Sequence, residues 1–160
     1  VNSDHDIALS ISDSVQIQKY IDNFKKYNQE FQSIMMSSII YQNLSNDPAV
    51  FSKKIVDIAK NTAPDAVIMT DDLWGKAVRS YTYSGTDLST KNYPDSAFIK
   101  VTDLAFKAGN DMLMITYPAK VPLMIQAISK LAKQEPKYLQ SINESVHKIL
   151  TLKYKLGLIK

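Results

Sequence analysis

The chain has 160 residues, of which 45% are hydrophobic, and its 19 basic and 16 acidic side chains leave a formal net charge of +3. These values suit a globular domain with a core, and the scattered lysines form no massed positive surface for nucleic acid. The absence of cysteine excludes disulfides and thiolate ligands and leaves both a cytoplasmic and a secreted location open. No apolar run approaches the roughly 18 residues that a membrane-spanning helix requires.

The first half of the chain alternates between helical and strand patterns. Apolar residues at three-to-four spacing predict an amphipathic helix over 13–31. A short apolar run over 33–40 predicts a strand, and Pro48 begins a second helix over 47–61. The apolar run 66–70 has no polar alternation, which is typical of a parallel strand covered on both faces.

The second half continues the alternation. A short helix near 73–78 precedes a polar segment, 80–96, which is predicted to be a loop insertion, either a lid over a site or a mobile surface loop. The remaining patterns predict a helix over 98–108, a strand over 112–116 and helices over 121–133 and 137–155. Strands that alternate with helices indicate βαβ units, so the sequence predicts an α/β fold with parallel strands and outer helices.

Two adjacent carboxylates, Asp71 and Asp72, stand where the strand 66–70 ends. Side chains that are neighbours along a strand point to opposite faces, so only one of the two acids can face a site above the sheet. The carboxyl ends of parallel strands are where α/β folds place their chemistry. One acid is therefore predicted to act and the other to support it; the alternative is a pair that only caps the turn.

Four segments occur in the order seen in glycoside hydrolase family 3, which the chain therefore resembles. They are MSSIIY at 36–41, AVIMTDDL at 66–73, AFKAGNDML at 105–113 and SVHKILTLKYKLGL at 145–158. The resemblance is greatest to the bacterial β-N-acetylhexosaminidase branch. It implies the carboxyl-terminal half of a TIM (β/α)8 barrel, because a whole barrel needs about 250 residues.

The resemblance implies one partial domain over 1–160 that lacks the upstream half of the barrel. The family's first strands and its main sugar-binding segment have no counterpart in this sequence. Alone, such a chain would expose a sheet edge and part of an apolar interior. The chain is expected to be either a portion of a longer enzyme or a half-barrel that associates with a separate amino-terminal half.

By the same resemblance Asp71 matches the catalytic nucleophile of a retaining glycosidase. The branch takes its general acid/base from a histidine paired with an aspartate, and His5 with Asp4 is the candidate dyad. The family places the aspartate two positions before the histidine, where this chain has Ser3. The alternative is a polar terminal segment in which these residues have no catalytic role.

Four further residues are candidates for contact with the sugar: Ser38, Asp72, Trp74 and Tyr117. Three of them have a structural alternative. The Ser38 hydroxyl could be buried against backbone, Asp72 could cap a helix that begins near Leu73, and Trp74 could belong to the core. The other histidine, His147, is predicted to lie on an outer helix.

The resemblance thus implies a retaining glycoside hydrolase that, as part of a longer enzyme, removes terminal β-linked N-acetylglucosamine or a related β-sugar from glycans such as peptidoglycan fragments. No cofactor and no metal site are expected, because no His or acid cluster has ligand spacing. The first alternative is a carbohydrate-binding or structural relative without activity. The second is a small doubly wound domain that binds a nucleotide or receives a phosphoryl group through its acidic strand end; the absence of a glycine-rich loop counts against nucleotide binding.

Overall fold

The computed structural model describes residues 7–89 and 91–160. In this part of the chain, four short strands lie among six helices. The strands are β1 (Leu9–Ser10), β2 (Ser33–Met36), β3 (Ile40–Tyr41) and β4 (Val67–Thr70). The helices are α1 (Ser14–Lys26), α2 (Lys53–Thr62), α3 (Lys76–Thr82), α4 (Asp95–Ala108), α5 (Val121–Gln134) and α6 (Pro136–Lys155), and single 3-10 turns occupy Ala49–Phe51 and Pro118–Lys120.

The strands pair in parallel, with helices in the crossovers. β2 pairs with β4, in a register that places Ser33 opposite Val67 and Met36 opposite Thr70. β1 pairs with β3 in the same sense. A parallel pair requires a crossover connection, which α1 and α2 supply here. The prediction of an α/β fold with parallel strands is therefore confirmed.

The segment 33–40, predicted as one strand, is divided in two. β2 ends at Met36 and β3 begins at Ile40, and the bend between them accepts two backbone hydrogen bonds from the following turn. Val50 N donates to Ser37 O at 3.0 Å and Ala49 N to Ile39 O at 2.8 Å. The bend lets the chain leave β4 and pair with β1 instead.

The predicted strand 112–116 is reduced to a single parallel bridge between Met69 and Met112. Thr70 N donates to Met112 O at 2.9 Å, but Met114 N donates to the Thr70 side-chain Oγ1 at 2.8 Å. A hydroxyl thus takes the place of a backbone carbonyl, which interrupts the ladder. The segment still follows the edge of β4, since Leu73 N donates to Met114 O at 3.0 Å.

The helix ends differ from the sequence prediction where local chemistry intervenes. The Asp13 side chain caps α1 by accepting from Gln16 N at 2.8 Å, and α1 ends at Lys26 rather than at residue 31. Pro48 precedes a 3-10 turn, and α2 begins only at Lys53. Helix α4, by contrast, ends at Ala108 as predicted, and its cap Gly109 has a φ of 100°, the left-handed conformation that favours glycine.

Helices α3 and α4 enter the segment that was predicted as a loop over 80–96. α3 continues to Thr82 and α4 begins at Asp95, so the connection between them is 83–94.

The core lies between the β2/β4 pair and helices α2 and α4. Its largest fully buried apolar side chains are Phe98, Ile68, Leu73, Val50, Val56, Val67, Val78 and Val101. Within the described residues, no helix combines the length and apolar character needed to span a membrane.

Candidate active site

Asp71 stands one residue beyond β4, at the carboxyl edge of the β2/β4 pair. Its amide donates to Met36 O at 2.9 Å, which fixes the backbone to the neighbouring strand. Its carboxylate accepts two hydrogen bonds: Oδ1 from the Asp72 amide at 2.8 Å and Oδ2 from Ser38 Oγ at 3.3 Å. Two donors on different oxygens orient the carboxylate plane. Asp71 is therefore held in one position and is only partly buried.

Ser38 lies in the bend between β2 and β3 and is buried. The sequence singled out Ser38 and Asp71 separately, but the contact between them depends on the bend. Because the bend turns the chain after Met36, the serine hydroxyl reaches across to the acid that follows β4. The hydroxyl thus bonds a side chain rather than backbone.

Asp72 accepts three hydrogen bonds. Its Oδ1 accepts from Trp74 N at 3.0 Å and from Thr116 N at 2.9 Å, and its Oδ2 accepts from Thr116 Oγ1 at 2.6 Å. The alternative that Asp72 caps a helix near Leu73 is wrong, because α3 begins at Lys76 after Gly75. Asp72 thus closes the turn after Asp71 and joins this turn to Thr116, at the end of the segment 112–116 that runs along the edge of β4 (the edge segment).

Thr70 and Thr116 complete the site, and the sequence did not predict the contacts that they make. Thr70 is fully buried, and its hydroxyl accepts from Met114 N. Thr116 supplies two of the three donors on Asp72. Both are threonines at the ends of apolar segments, which is a usable signal, since a hydroxyl there usually has a specific partner.

Trp74 is 8% exposed and lies in an aromatic cluster. The Tyr117 ring stacks on it with 4.8 Å between centroids, and Phe98 makes an edge contact at 5.4 Å. The Arg79 guanidinium lies 4.6 Å from the Trp74 centroid. These contacts leave little of the indole for a sugar and support the core role for Trp74. Tyr117 is half-buried and keeps part of its surface accessible.

The two histidines fall in different parts of the chain. His5, with Asp4, lies outside the described residues. His147 is an exposed residue of α6, as predicted. Among residues 7–89 and 91–160, no three His, Asp or Glu side chains are grouped to hold a metal ion.

Asp111, whose side chain is only 4% exposed, marks the opposite edge of β4. Its Oδ2 accepts from Ile68 N at 3.0 Å, and its Oδ1 accepts from Ser145 Oγ at 3.0 Å. Two lysines neutralise it, Lys148 at 3.4 Å and Lys60 at 3.6 Å. The cluster ties α6 and α2 to the amino end of β4. Asp111 is therefore a structural acid, whereas the Asp71 carboxylate has no basic side chain paired with it in the described residues.

The electrostatics near the turn are set by burial and by neighbouring charges. Burial lowers the pKa of Arg79, while the nearby Tyr93 and Asp72 raise it. Tyr81, on α3, donates its hydroxyl to Asp47, and burial followed by this bond raises the pKa of Tyr81 to about 12. α3 is therefore linked to the turn that follows β3.

The fold and site define an α/β protein with parallel strands and a positioned carboxylate at the carboxyl strand edge. The family model described as "Glycosyl hydrolase family 3 N terminal domain" matches residues 10–152, and the chain belongs to this family. The resemblance inferred from the four sequence segments is confirmed. Membership of this family argues against the alternative of a small doubly wound domain that binds a nucleotide or receives a phosphoryl group.

Three solved structures share the fold at low identity. CbsA from Thermotoga neapolitana superposes with a TM-score of 0.71 at 15% identity, over 95% of this chain and 34% of that one. A fungal multi-domain GH3 β-N-acetylglucosaminidase superposes with a TM-score of 0.75 at 20% identity, over 96% of this chain and 18% of that one. The β-N-acetylglucosaminidase from Thermotoga maritima superposes with a TM-score of 0.67 at 14% identity, over 91% of this chain and 31% of that one.

The chain spans about a third or less of the length of these three proteins. Identities of this size show the fold alone. A search of curated protein sequences found no significant match.

Proposed function

We propose that this chain is the carboxyl-terminal half of a TIM-barrel glycosidase domain, and that the longer enzyme removes terminal β-linked N-acetylglucosamine or a related β-sugar from glycans such as peptidoglycan fragments. Family membership supports glycoside hydrolysis. Two structural neighbours described as β-N-acetylglucosaminidases support the choice of sugar. The observation that carries the proposal is the Asp71 carboxylate, oriented by Ser38 and Asp72 at the strand edge.

In the proposed reaction Asp71 attacks the anomeric carbon of the sugar. The bond to the leaving oxygen breaks, and a proton from the general acid, assigned to His5, passes to that oxygen. A covalent glycosyl ester on Asp71 results. Water, deprotonated by the same imidazole, then attacks the anomeric carbon and releases Asp71, so that one bond is hydrolysed with retention of configuration. Asp4 would orient the imidazole.

The other candidate contacts have distinct roles in this proposal. Ser38 orients the nucleophile, and Asp72 holds the turn that carries it. Tyr117, which is half-buried beside Trp74, would border the sugar. Trp74 would have an indirect role, because its ring stacks against Tyr117 and holds the tyrosine ring in position.

The proposed partner is the amino-terminal half of the barrel, in the same chain or in another. The first and last helices both leave apolar side chains uncovered. On α1 the most exposed are Val15, Tyr20 and Phe24, and on α6 they are Leu139, Val146, Leu150 and Tyr154. An apolar cavity of about 560 Å³ also opens between α1, α2 and β2. Apolar side chains left exposed together on a helix face are typical of an interface.

An activated fluorosugar tests the chemistry, because it forms the glycosyl ester and slows its hydrolysis. With the complete protein, we expect one sugar adduct on the peptide that contains Asp71. Asp71→Asn should give no adduct and lose about 10³-fold or more in kcat. Asp72→Asn is the matched control, since it should keep the adduct.

The alternative is a family member that binds carbohydrate without cleaving it. Such a protein would form no adduct, and Asp71→Asn would leave its affinity for the sugar unchanged. An adduct on another residue, or near-normal turnover by Asp71→Asn, would contradict the assignment of the nucleophile.

A further inference from the structure

Arg79 is the only arginine in the sequence, and it lies over the only tryptophan. Its guanidinium is 4.6 Å from the Trp74 ring centroid and 5.6 Å from that of Tyr93. Its Nε donates to Trp74 O at 2.9 Å. One side chain thus contacts both the ring and the backbone of the turn that follows Asp71.

The same guanidinium also holds the connection 83–94. Arg79 Nη1 donates to Leu88 O, so the two carbonyls that it joins lie in different segments. Tyr93 is 3% exposed, and its hydroxyl lies 2.8 Å from Thr82 Oγ1. Tyr93 also contacts Trp74 edge-on, with 5.6 Å between centroids. The described part of this connection is therefore attached to the Trp74 turn.

The connection lies at the same edge of the sheet as Asp71. β4 and the segment after Asp111 run in the same direction, as the parallel bridge between Met69 and Met112 shows. α4 connects them, so α4 runs back from the carboxyl edge to the amino edge. Helix α4 begins at Asp95, immediately after the connection 83–94. Asp95 forms an ion pair with Lys120, which follows the segment 112–116, so the end of the connection lies at the carboxyl edge.

We propose that Arg79 is a positioning residue for substrate binding: it fixes the described residues of the connection, 83–89 and 91–94, to the Trp74 turn and makes them a rigid wall of the sugar site. The inference rests on the proposed glycosidase function. Asp71 has its own hydrogen bonds from Ser38 and Asp72. Loss of Arg79 should therefore weaken binding of the sugar more than the chemical step.

A lysine could not replace the guanidinium. Arginine presents donors in a planar fork and stacks flat on an aromatic ring, whereas lysine is a compact charge on a flexible stem. Arg79 uses both properties, with donors to two carbonyls and its guanidinium against the indole.

The test compares Arg79→Met and Arg79→Lys with the wild type in the complete protein. Lys133→Met, an exposed residue near the end of α5 and outside the connection, is the control for loss of charge. We expect both Arg79 variants to raise KM about fivefold to tenfold, the range that loss of one hydrogen bond produces, with kcat changed less than about twofold. Lys133→Met should leave both constants unchanged.

Two physical readouts accompany the kinetics. Chymotrypsin should cut between residues 83 and 94 faster in both Arg79 variants at equal thermal stability. The emission of Trp74, measured in the complete protein as the difference between matched forms with and without Trp74→Phe, should change in intensity. A KM and a cleavage rate equal to those of the wild type would overturn the proposal, as would a kcat that falls in step with the folded fraction. If the wild type forms no fluorosugar adduct, the proposed function fails, whereas cleavage and emission still decide whether Arg79 fixes the connection.

Discussion

Ser38 Oγ donates a hydrogen bond to Asp71 Oδ2 over 3.3 Å, across 33 positions of sequence. The contact joins the carboxyl ends of two parallel strands. Asp71 Oδ1 already accepts a hydrogen bond from the amide of Asp72, so the bond from Ser38 orients the second oxygen, Oδ2. This relationship leads to the first prediction.

If Asp71 is the nucleophile as proposed, Ser38→Ala should lower kcat of the complete protein about tenfold to hundredfold, because removal of a hydrogen bond to an ionised carboxylate costs about 1.5–3 kcal/mol. Asp71 would stay in place on its second hydrogen bond, so its fluorosugar labelling should persist at a lower rate. Ser37→Ala is the matched control, since that residue contributes its backbone carbonyl to the bend. Equal kcat values for the wild type and Ser38→Ala would contradict this role.

Thr70→Val should destabilise the fold by about 1–3 kcal/mol, the cost of leaving a donor inside the fold without a partner. Valine has the same shape as threonine but cannot accept from Met114 N, which Thr70 Oγ1 does at 2.8 Å. Urea denaturation measures the loss. Thr102→Val is the control, because Thr102 is equally buried but only donates to Phe98 O within α4. A loss as large for Thr102→Val would show that burial, and not the orphaned amide, sets the cost.

The general architecture was predictable because it follows from the order of local patterns. Unbroken apolar runs separated by amphipathic segments identified the strands around Ile34 and Ile68 and the parallel α/β class. Asp71 was predictable as a candidate because it directly follows a buried run. The glycine at 109 marked the end of α4 for the steric reason that applies in any helix.

Contacts between segments that are distant in the sequence could not be predicted from it. The Thr70 hydroxyl interrupts the hydrogen-bond ladder beside β4 by accepting from Met114 N in place of a backbone carbonyl. Nothing in the run 112–116 predicts this change of acceptor. The bend after Met36 depends on amides from Ala49 and Val50. The course of the connection 83–94 depends in part on Arg79, whose partner carbonyl is nine residues away. Such contacts compete with local propensity and are decided by packing.

Tyr81 should titrate late. Burial and the bond to Asp47 raise the pKa of Tyr81 from its ordinary 10.0 to about 12. Because the pKa is higher in the folded chain, the unfolded chain loses this proton first as the pH rises. The contribution of protonated Tyr81 to the free energy of unfolding is therefore complete below pH 10 and is lost between pH 10 and about 12. The difference between the ultraviolet titrations of the wild type and Tyr81→Phe should have its midpoint near 12. Asp47→Asn should lower that midpoint; a midpoint near 10 in the wild type would exclude the bond.

Val146→Glu should act in opposite directions in two contexts if the amino-terminal half covers α6. Val146 and Leu150 are each 47% exposed and lie one turn apart. In the chain alone, a glutamate at this position reduces the uncovered apolar surface and should lower aggregation, as measured by light scattering. In the complete protein the same charge would be buried against the other half and should destabilise the fold by about 3 kcal/mol or more.

The control for this pair of measurements is His147→Glu, which adds the same charge to the adjacent exposed position. Because neighbours on a helix point in different directions, His147→Glu should leave the stability of the complete protein nearly unchanged. Equal stability of Val146→Glu and His147→Glu in the complete protein would show that α6 faces solvent there too, and the half-barrel arrangement would then be wrong.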